Sequence, residues 1–404
     1  MLVASGIAVQ VRVLWITGNF LPQTGGLEMY IDRLVSSLAQ FCEVGLLTDA
    51  TQRAASDAGV AHFTAANIAR PATAEQFANA AAAISDALRK YSPDLVHLAS
   101  AGMAVYRDAI PNDSPLVATV HGNDLTAPWQ RTPGRDTTAS ILEGLNACRH
   151  VIAISQHTAG LVRKWGVRSP VLVLTAGCDL EFFHPVPESK AKTRKIYEVP
   201  DGVPVVLTVG RLVARKGHRS VVQAIRRFPF RVRWLVVGAG PLAAQFQEEV
   251  RACGMQEDVT LLGRVSQDAL LALYNACDVF VLAPEERAAE GYLDSEGFGL
   301  VFHEAMACGK PVLGSDVSGC RDAVVNGSTG ILVPPGDAGA LADAIVRVLT
   351  DRELAEKLAQ QGHAFVRAAG GWSRLAGQYY ELYEQVLYGE RELATEPPDS
   401  VIPF

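Results

Sequence analysis

The chain has 404 residues, enough for two domains of ordinary size. AVILMFWYC residues make up 49% and charged residues 20%, with Gly and Pro dispersed, a globular composition that excludes disorder. A formal net charge of −7 disfavours a general role on nucleic acid, which needs clustered positive charge to displace counterions.

Taken from the N-terminus, "VRVLWITG" (11 to 18) is a buried-strand candidate, and Ile31, Leu34, Val35 and Leu38 after it fall on one helical face. The runs "DLVHLAS" (94 to 100), "LVATVHG" (116 to 122) and "HVIAISQ" (150 to 156) follow, each ending in small or polar residues, so the order reads as βαβ. A polar, proline-containing stretch at 184 to 204 reads as a linker. Beyond it the pattern restarts with "VVLTVGRL" (205 to 212), "RWLVVGAG" (233 to 240), "VTLLGRV" (259 to 265), "DVFVLAP" (278 to 284) and "KPVLGSD" (310 to 316). Leu341, Ala344, Ile345 and Val348 give another apolar helical face. "EERAAEGYLD" (285 to 294) reads as a polar loop, mobile before ligand binding or simply solvated, and the alternating part of "IRRFPFRVRW" (225 to 234) as a strand with one solvated face. Two βαβ arrays in tandem imply an α/β protein of two Rossmann-like lobes facing a cleft, because open parallel sheets bind ligands at the carboxyl ends of their strands.

The seven cysteines include no CxxC pair, which suits free thiols in a reducing compartment better than a disulfide framework or a zinc site. The ten residues before the first strand lack the cationic start of a signal peptide, and no run of eighteen apolar residues occurs. A cytoplasmic location follows as an expectation, with peripheral contact at the inner face of a membrane left open.

"SEGFGLVFHEAMACGKPV" (295 to 312) sets Glu296 and Glu304 on either side of a Gly-Phe-Gly turn at the start of a helix that ends near Gly309. Taken alone, such a pair reads as ordinary helix carboxylates, since Glu is common on helices. Context shifts the reading. The glycines let backbone approach a ligand, and free N–H groups at a helix start attract phosphate. The carboxylates then suit hydroxyl-rich groups flanking a diphosphate. "GRLVARKGH" supplies Gly210, Arg211 and Lys216 at a strand end, where the cations could neutralise a leaving diphosphate or simply be solvated. "GNFLPQTGGLEMY" (18 to 30) is a matching glycine loop with Gly25 and Gly26, and neither it nor "VVGAGP" completes a G-x-G-x-x-G fingerprint, so nicotinamide chemistry is weakly supported. "TVHGND" (119 to 124) puts His121 at a strand end beside the cleft; a lone His is more often structural, but this position has a stronger claim than most.

In this order, "GGLE", "HGND", "ISQHT", "GRLVARKG", "GAGP", "LGRV", "EGFGLVFHEA", "GKPV" and "GSTGILVPPGD" make the sequence resemble the GT-B fold retaining glycosyltransferases of family 4, with "GYLDSEGFGLVFHEA" similar to phosphatidylinositol mannosyltransferases and polysaccharide enzymes. The resemblance implies a first, acceptor lobe over 1 to 190, a nucleotide-sugar donor lobe over 191 to 373, a helix at about 374 to 390 crossing back onto the first lobe, and a tail from 391. It implies that Gly25 and Gly26 contact the donor, that Gly210, Arg211 and Lys216 hold its diphosphate, and that Glu296 binds sugar hydroxyls. The backbone N–H groups of Phe298, Gly299, Leu300 and Val301 would meet phosphate and sugar, Glu304 the ribose, and His121 the reacting sugar. Catalysis would rest on His121, Glu296, Arg211 and Lys216. No metal and no cofactor is expected beyond the donor, GDP-mannose or a UDP-hexose, with a glycan, lipid or small-molecule acceptor. Departures occur at "AGCD" (176 to 179), where Asn-Gly-Val-Asp is frequent, and at "SGCRD" (318 to 322), with Asp322 in the acidic place. Trp129, Arg131 and Arg135 could line the acceptor side, meet a membrane, or form a surface loop. The rival readings are a glycoside hydrolase using Glu296 and Glu304, a non-catalytic protein of the same fold that binds nucleotide sugars, and a dehydrogenase.

Overall fold

The computed structural model of the protein describes residues 10–20, 25–49, 59–69, 71–126, 137–289 and 292–389. Trp129, Arg131, Arg135 and the tail from Arg391 lie outside the described residues.

The first lobe runs β1 (Arg12–Ile16), α1 (Gly26–Leu38), β2 (Glu43–Thr48), β3 (Val60–Thr64), α2 (Ala74–Tyr91), β4 (Leu95–Leu98), a 3-10 segment (Ala101–Ala109), β5 (Leu116–Val120), α3 (Asn123–Thr126), α4 (Thr137–Asn146), β6 (His150–Ala153), α5 (Gln156–Lys164) and β7 (Val171–Val173). Its seven strands form one sheet in the order β3-β2-β1-β4-β5-β6-β7, every ladder parallel. The central strands are buried almost from end to end because helices cover both faces, which is why they read as nearly continuous hydrophobic runs.

The second lobe contains α6 (Ser189–Ile196), β8 (Val205–Val209), a 3-10 turn (Ala214–Lys216), α7 (His218–Ile225), β9 (Arg233–Val237), α8 (Ala243–Ala252), β10 (Val259–Gly263), α9 (Gln267–Ala276), β11 (Val279–Leu282), β12 (Arg287–Ala289), β13 (Tyr292–Asp294), α10 (Leu300–Ala307), β14 (Val312–Ser315), α11 (Cys320–Ala323), β15 (Ile331–Val333), α12 (Ala338–Thr350) and α13 (Arg352–Ala369). Its parallel sheet has the order β10-β9-β8-β11-β14-β15. Three expectations change. The linker at 184 to 204 holds α6, which packs on α9 and binds Asp278 through Lys190 and Arg194. The polar loop at 285 to 294 carries an antiparallel hairpin, β12 with β13. The alternating part before Arg233 is irregular, because strand pairing with β8 begins only at Arg233.

A last helix, α14 (Trp372–Tyr388), packs against α1 of the first lobe. Its Tyr379 hydroxyl lies 2.9 Å from that of Tyr30 and 3.0 Å from Thr119 Oγ1. Tyr383 OH sits 2.8 Å from His97 Nδ1, and the His97 ring stacks on Trp15 at 3.8 Å. The chain therefore passes between lobes twice. Cys178 on the outward passage and Gly371 on the return form an isolated parallel bridge. One buried cluster is continuous through both lobes, from Trp15 and Tyr30 through Ile154 and Phe298 to Phe302 and Tyr379.

In each sheet the strand order reverses beside the first strand, between β1 and β4 and between β8 and β11. Ligands of open α/β sheets bind at such points, beyond the carboxyl ends of the strands. The loops after β1, β5, β8 and β11 carry the candidate residues.

Candidate active site

Glu296 lies in the segment between β13 and α10 and is buried beside the turn after β8. Lys216 Nζ donates to its Oε2 at 2.6 Å and Arg215 Nη1 to the same oxygen at 2.9 Å. Oε1 has no partner among the described residues. Burial pushes the carboxyl up, and the Lys216 ammonium and Arg215 guanidinium override it, holding Glu296 below the ordinary carboxylate range. The site thus holds an ionised carboxylate with one oxygen anchored by two cations and the other available to a hydroxyl.

The sequence reading paired Lys216 with Arg211, and the structure adds Arg215 beside Lys216 on Glu296. Lys216 is buried on Glu296, whereas Arg211 is exposed and its charge acts on Glu28 of the first lobe. Arg215 went unnoticed because nothing local distinguishes it from Arg211; its partner is 81 residues away. Gly210 packs over the Lys216 stem, with a Cβ there lying 3.6 Å from Lys216 Cδ.

The turn before α10 is closely packed backbone. A Cβ on Gly297 would lie 2.4 Å from the His121 carbonyl oxygen of the first lobe, so only glycine lets the two lobes meet there. Phe298 is buried against His303. Gly299 takes φ +97 to cap α10, whose first residues are Leu300 and Val301. The first N–H groups of a helix have no partner within it, so this end is suited to an anion.

From the first lobe, His121 follows β5 and packs edge-on against Tyr30. Its Nε2 lies 3.0 Å from the Ala99 carbonyl; donating there fixes the proton on Nε2 and leaves Nδ1 as acceptor, with no partner among the described residues. Burial pulls its pKa below the ordinary value although Asp124 works the other way, so the ring is neutral at pH 7. Gly25 caps α1, and Gly26 opens it with clear space above its Cα. A Cβ on Gly25 would strike Glu28 Oε2 at 2.5 Å. Glu28, inside the quoted "GGLE", was not singled out from the sequence; it is buried, accepts from Asn19 Nδ2 at 3.4 Å, and its carboxyl is raised by burial.

Glu304 is one turn inside α10 and accepts from the Tyr274 hydroxyl at 2.7 Å. Burial pushes its carboxyl up to about 7, against Tyr274 and the Arg33 charge, which hold it down. Arg33 pairs with Asp179 at 3.3 Å, so "AGCD" sits where α1 meets the second lobe's helix. Asp322 of "SGCRD" reaches the first lobe, accepting from the backbone N–H groups of Gln156 at 2.9 Å and His157 at 3.2 Å at the start of α5. No group of three or more His, Cys, Asp or Glu that could hold a metal ion occurs among the described residues. All seven cysteines are free thiols, and no described helix is long and apolar enough to cross a membrane.

Comparison with known proteins agrees with the two-lobed fold. Residues 24–182 match the model of Glycosyltransferase Family 4, and residues 189–365 that of Glycosyl transferases group 1. The chain is 29% identical to a GDP-mannose-dependent alpha-(1-6)-phosphatidylinositol monomannoside mannosyltransferase of Mycobacterium tuberculosis, over 91% of this chain and 96% of that protein. It is 30% identical to a D-inositol 3-phosphate glycosyltransferase of Xylanimonas cellulosilytica, over 72% of this chain and 70% of that one. Sucrose-phosphate synthase from Thermosynechococcus elongatus superposes with a TM-score of 0.77 at 26% identity, covering 94% of this chain and all of the other. With one family model on each lobe and GT-B neighbours over nearly its whole length, this chain belongs to the family 4 glycosyltransferases of the GT-B fold.

Proposed function

We propose that the enzyme moves a hexose of mannose or glucose type from a nucleoside-diphosphate sugar to a hydroxyl on a glycan, lipid or small molecule, with retention at the anomeric carbon and without a metal ion. GDP-mannose is the leading donor, since a relative similar over almost its full length is named for it; a UDP-hexose is the other. The observation that carries the reading is Glu296, ionised between Lys216 and Arg215, at a glycine turn that the first lobe's His121 abuts.

The donor diphosphate lies against the start of α10, with Phe298, Gly299, Leu300 and Val301 offering backbone N–H groups and Arg211 and Lys216 their charge. Departure of the nucleoside diphosphate builds negative charge on its phosphate oxygens, and these groups answer it in place of a metal. Glu296 Oε1 takes a sugar hydroxyl. Glu304 takes the ribose. The acceptor attacks from the face the diphosphate leaves, and the leaving phosphate takes the acceptor proton. His121, neutral with Nδ1 as acceptor, holds a hydroxyl of the reacting sugar. A hydrolase would leave the phosphate-binding turn without a purpose.

Calorimetry and thermal shift of the full chain against GDP, UDP, ADP, their sugar conjugates and NAD test this. One nucleoside diphosphate is expected to raise Tm, by about 2.7 kcal/mol of stability at a hundred times its Kd. Stabilisation by NAD alone, or by none, overturns the reading. Turnover with that donor is expected to survive excess chelator, and NMR of the product to show the donor's anomeric configuration.

A further inference from the structure

Of the four consecutive residues Asp294 to Gly297, three are hydrogen-bonded to the first lobe. Asp294 Oδ1 accepts from Asn123 Nδ2 at 2.8 Å. Ser295 donates its N–H to Asn123 Oδ1 at 3.0 Å, and its Oγ lies 3.2 Å from His157 Nε2. The Gly297 carbonyl accepts from Ser155 Oγ at 2.7 Å. Glu296 is the exception, its carboxylate held by Arg215 and Lys216 of its own lobe. Arg215 joins the two sets, because its Nε sits 2.9 Å from the Asp294 oxygen that Asn123 also holds. Asn123 lies in "HGND", and Ser155 and His157 lie in "ISQHT", residues to which the donor chemistry gives no part.

We propose that Asn123, supported by Ser155 and His157, is a positioning residue: docking of the first lobe onto residues 294 to 297 aligns the Glu296 carboxylate, with Asp294 and Arg215 carrying the link. This rests on the donor-site reading of Glu296. Separation of the lobes breaks the hydrogen bonds to Asp294, Ser295 and Gly297 together. Asp294 then has no first-lobe partner, and Arg215, which bonds to both carboxylates, follows it. Lobe docking and carboxylate alignment are then linked through Arg215: Glu296 stays held by Lys216, and takes its aligned position only with the acceptor lobe docked. The nucleotide sites on the second lobe are untouched by this motion. A simple inter-lobe adhesive would weaken nucleotide binding and turnover alike, or neither; a positioning residue separates them.

The test uses the full chain with Asn123→Ala, Asp294→Asn and both together. Each single variant is expected to lower kcat about tenfold or more while the calorimetric Kd for the nucleoside diphosphate stays within about twofold. The double variant is expected to be no slower than the slower single by more than about twofold, because the two residues act through one contact. Hydrogen exchange of the unliganded chain should speed up at residues 294 to 297 in all three. Should Asn123→Ala fail to fold, Ser155→Ala, which removes the Gly297 contact, is put through the same measurements. Unchanged kcat in a folded variant, single losses that multiply in the double, or a Kd that rises with the loss of kcat each overturns the proposal. If the wild type binds no nucleoside diphosphate, the proposed function fails; exchange at 294 to 297 still decides the docking separately, and an unchanged rate there overturns it.

Discussion

At the scale of single residues, Glu296 lies just before α10 and Glu304 inside it, and their surroundings drive the two acids in opposite directions. The cations on Glu296 keep it charged, so its contribution to stability is present above the ordinary value of 4.5 and is lost as pH falls below that through its folded pKa. Glu304 keeps its proton up to about 7, whereas the unfolded chain releases it near 4.5. Between these values the native state binds more protons than the unfolded state, so stability falls as pH rises. Glu304→Gln is therefore expected to gain in Tm relative to wild type as pH goes from 5 to 8, which thermal unfolding at several pH values reads directly. Glu296→Gln keeps the shape but not the charge on Lys216 and Arg215; turnover is expected to fall by about a hundredfold or more with the fold retained, measured as kcat beside a denaturation curve. The placement of Glu296, Glu304, Lys216 and His121 near strand or helix ends was legible because each stands in a short motif. Arg215, Glu28 and Asn123 were not, since what gives them a part is a partner 81, 183 or 171 residues distant.

At the scale of elements, the structure borrows across the cleft. Helix α5 has Ser155 at its N-cap, bonded to the Thr158 N–H at 3.0 Å, and Asp322 of the other lobe serves its two neighbouring N–H groups. Asp322→Ala is expected to cost about 1 kcal/mol in urea unfolding, the usual worth of a cap. Helix α14 is tied down by hydroxyls. Tyr379→Phe leaves Tyr30 and Thr119 each short of a buried partner, with an expected loss of about 1–3 kcal/mol, read from the same curves. Elements were legible in proportion to burial. β1, β4, β5, β8 and β11 are apolar runs because both faces are covered. β3 and β7 lie at the sheet edges and are half exposed; β3 mixes polar residues into its run, β7 is only three residues long, and neither was found. α6 buries only Thr193 among its eight residues, so a polar sequence hid a helix.

At the scale of the whole molecule, two sheets and their cleft followed from the repeated βαβ pattern, while the way the lobes touch did not, because backbone contacts such as Gly297 with His121 leave no signature beyond a glycine. The contact between the outward and return passages has a mechanical consequence. Two bodies joined by a single strand can swing and twist in any direction. Joined by two strands held side by side at Cys178 and Gly371, they keep one easy rotation, about the line through that pair, and resist the others. Cleft opening is then a single angular coordinate, and residues at equal distance from the pivot separate by equal amounts. Stiffening the pivot slows entry and exit most for the substrates that need the widest opening.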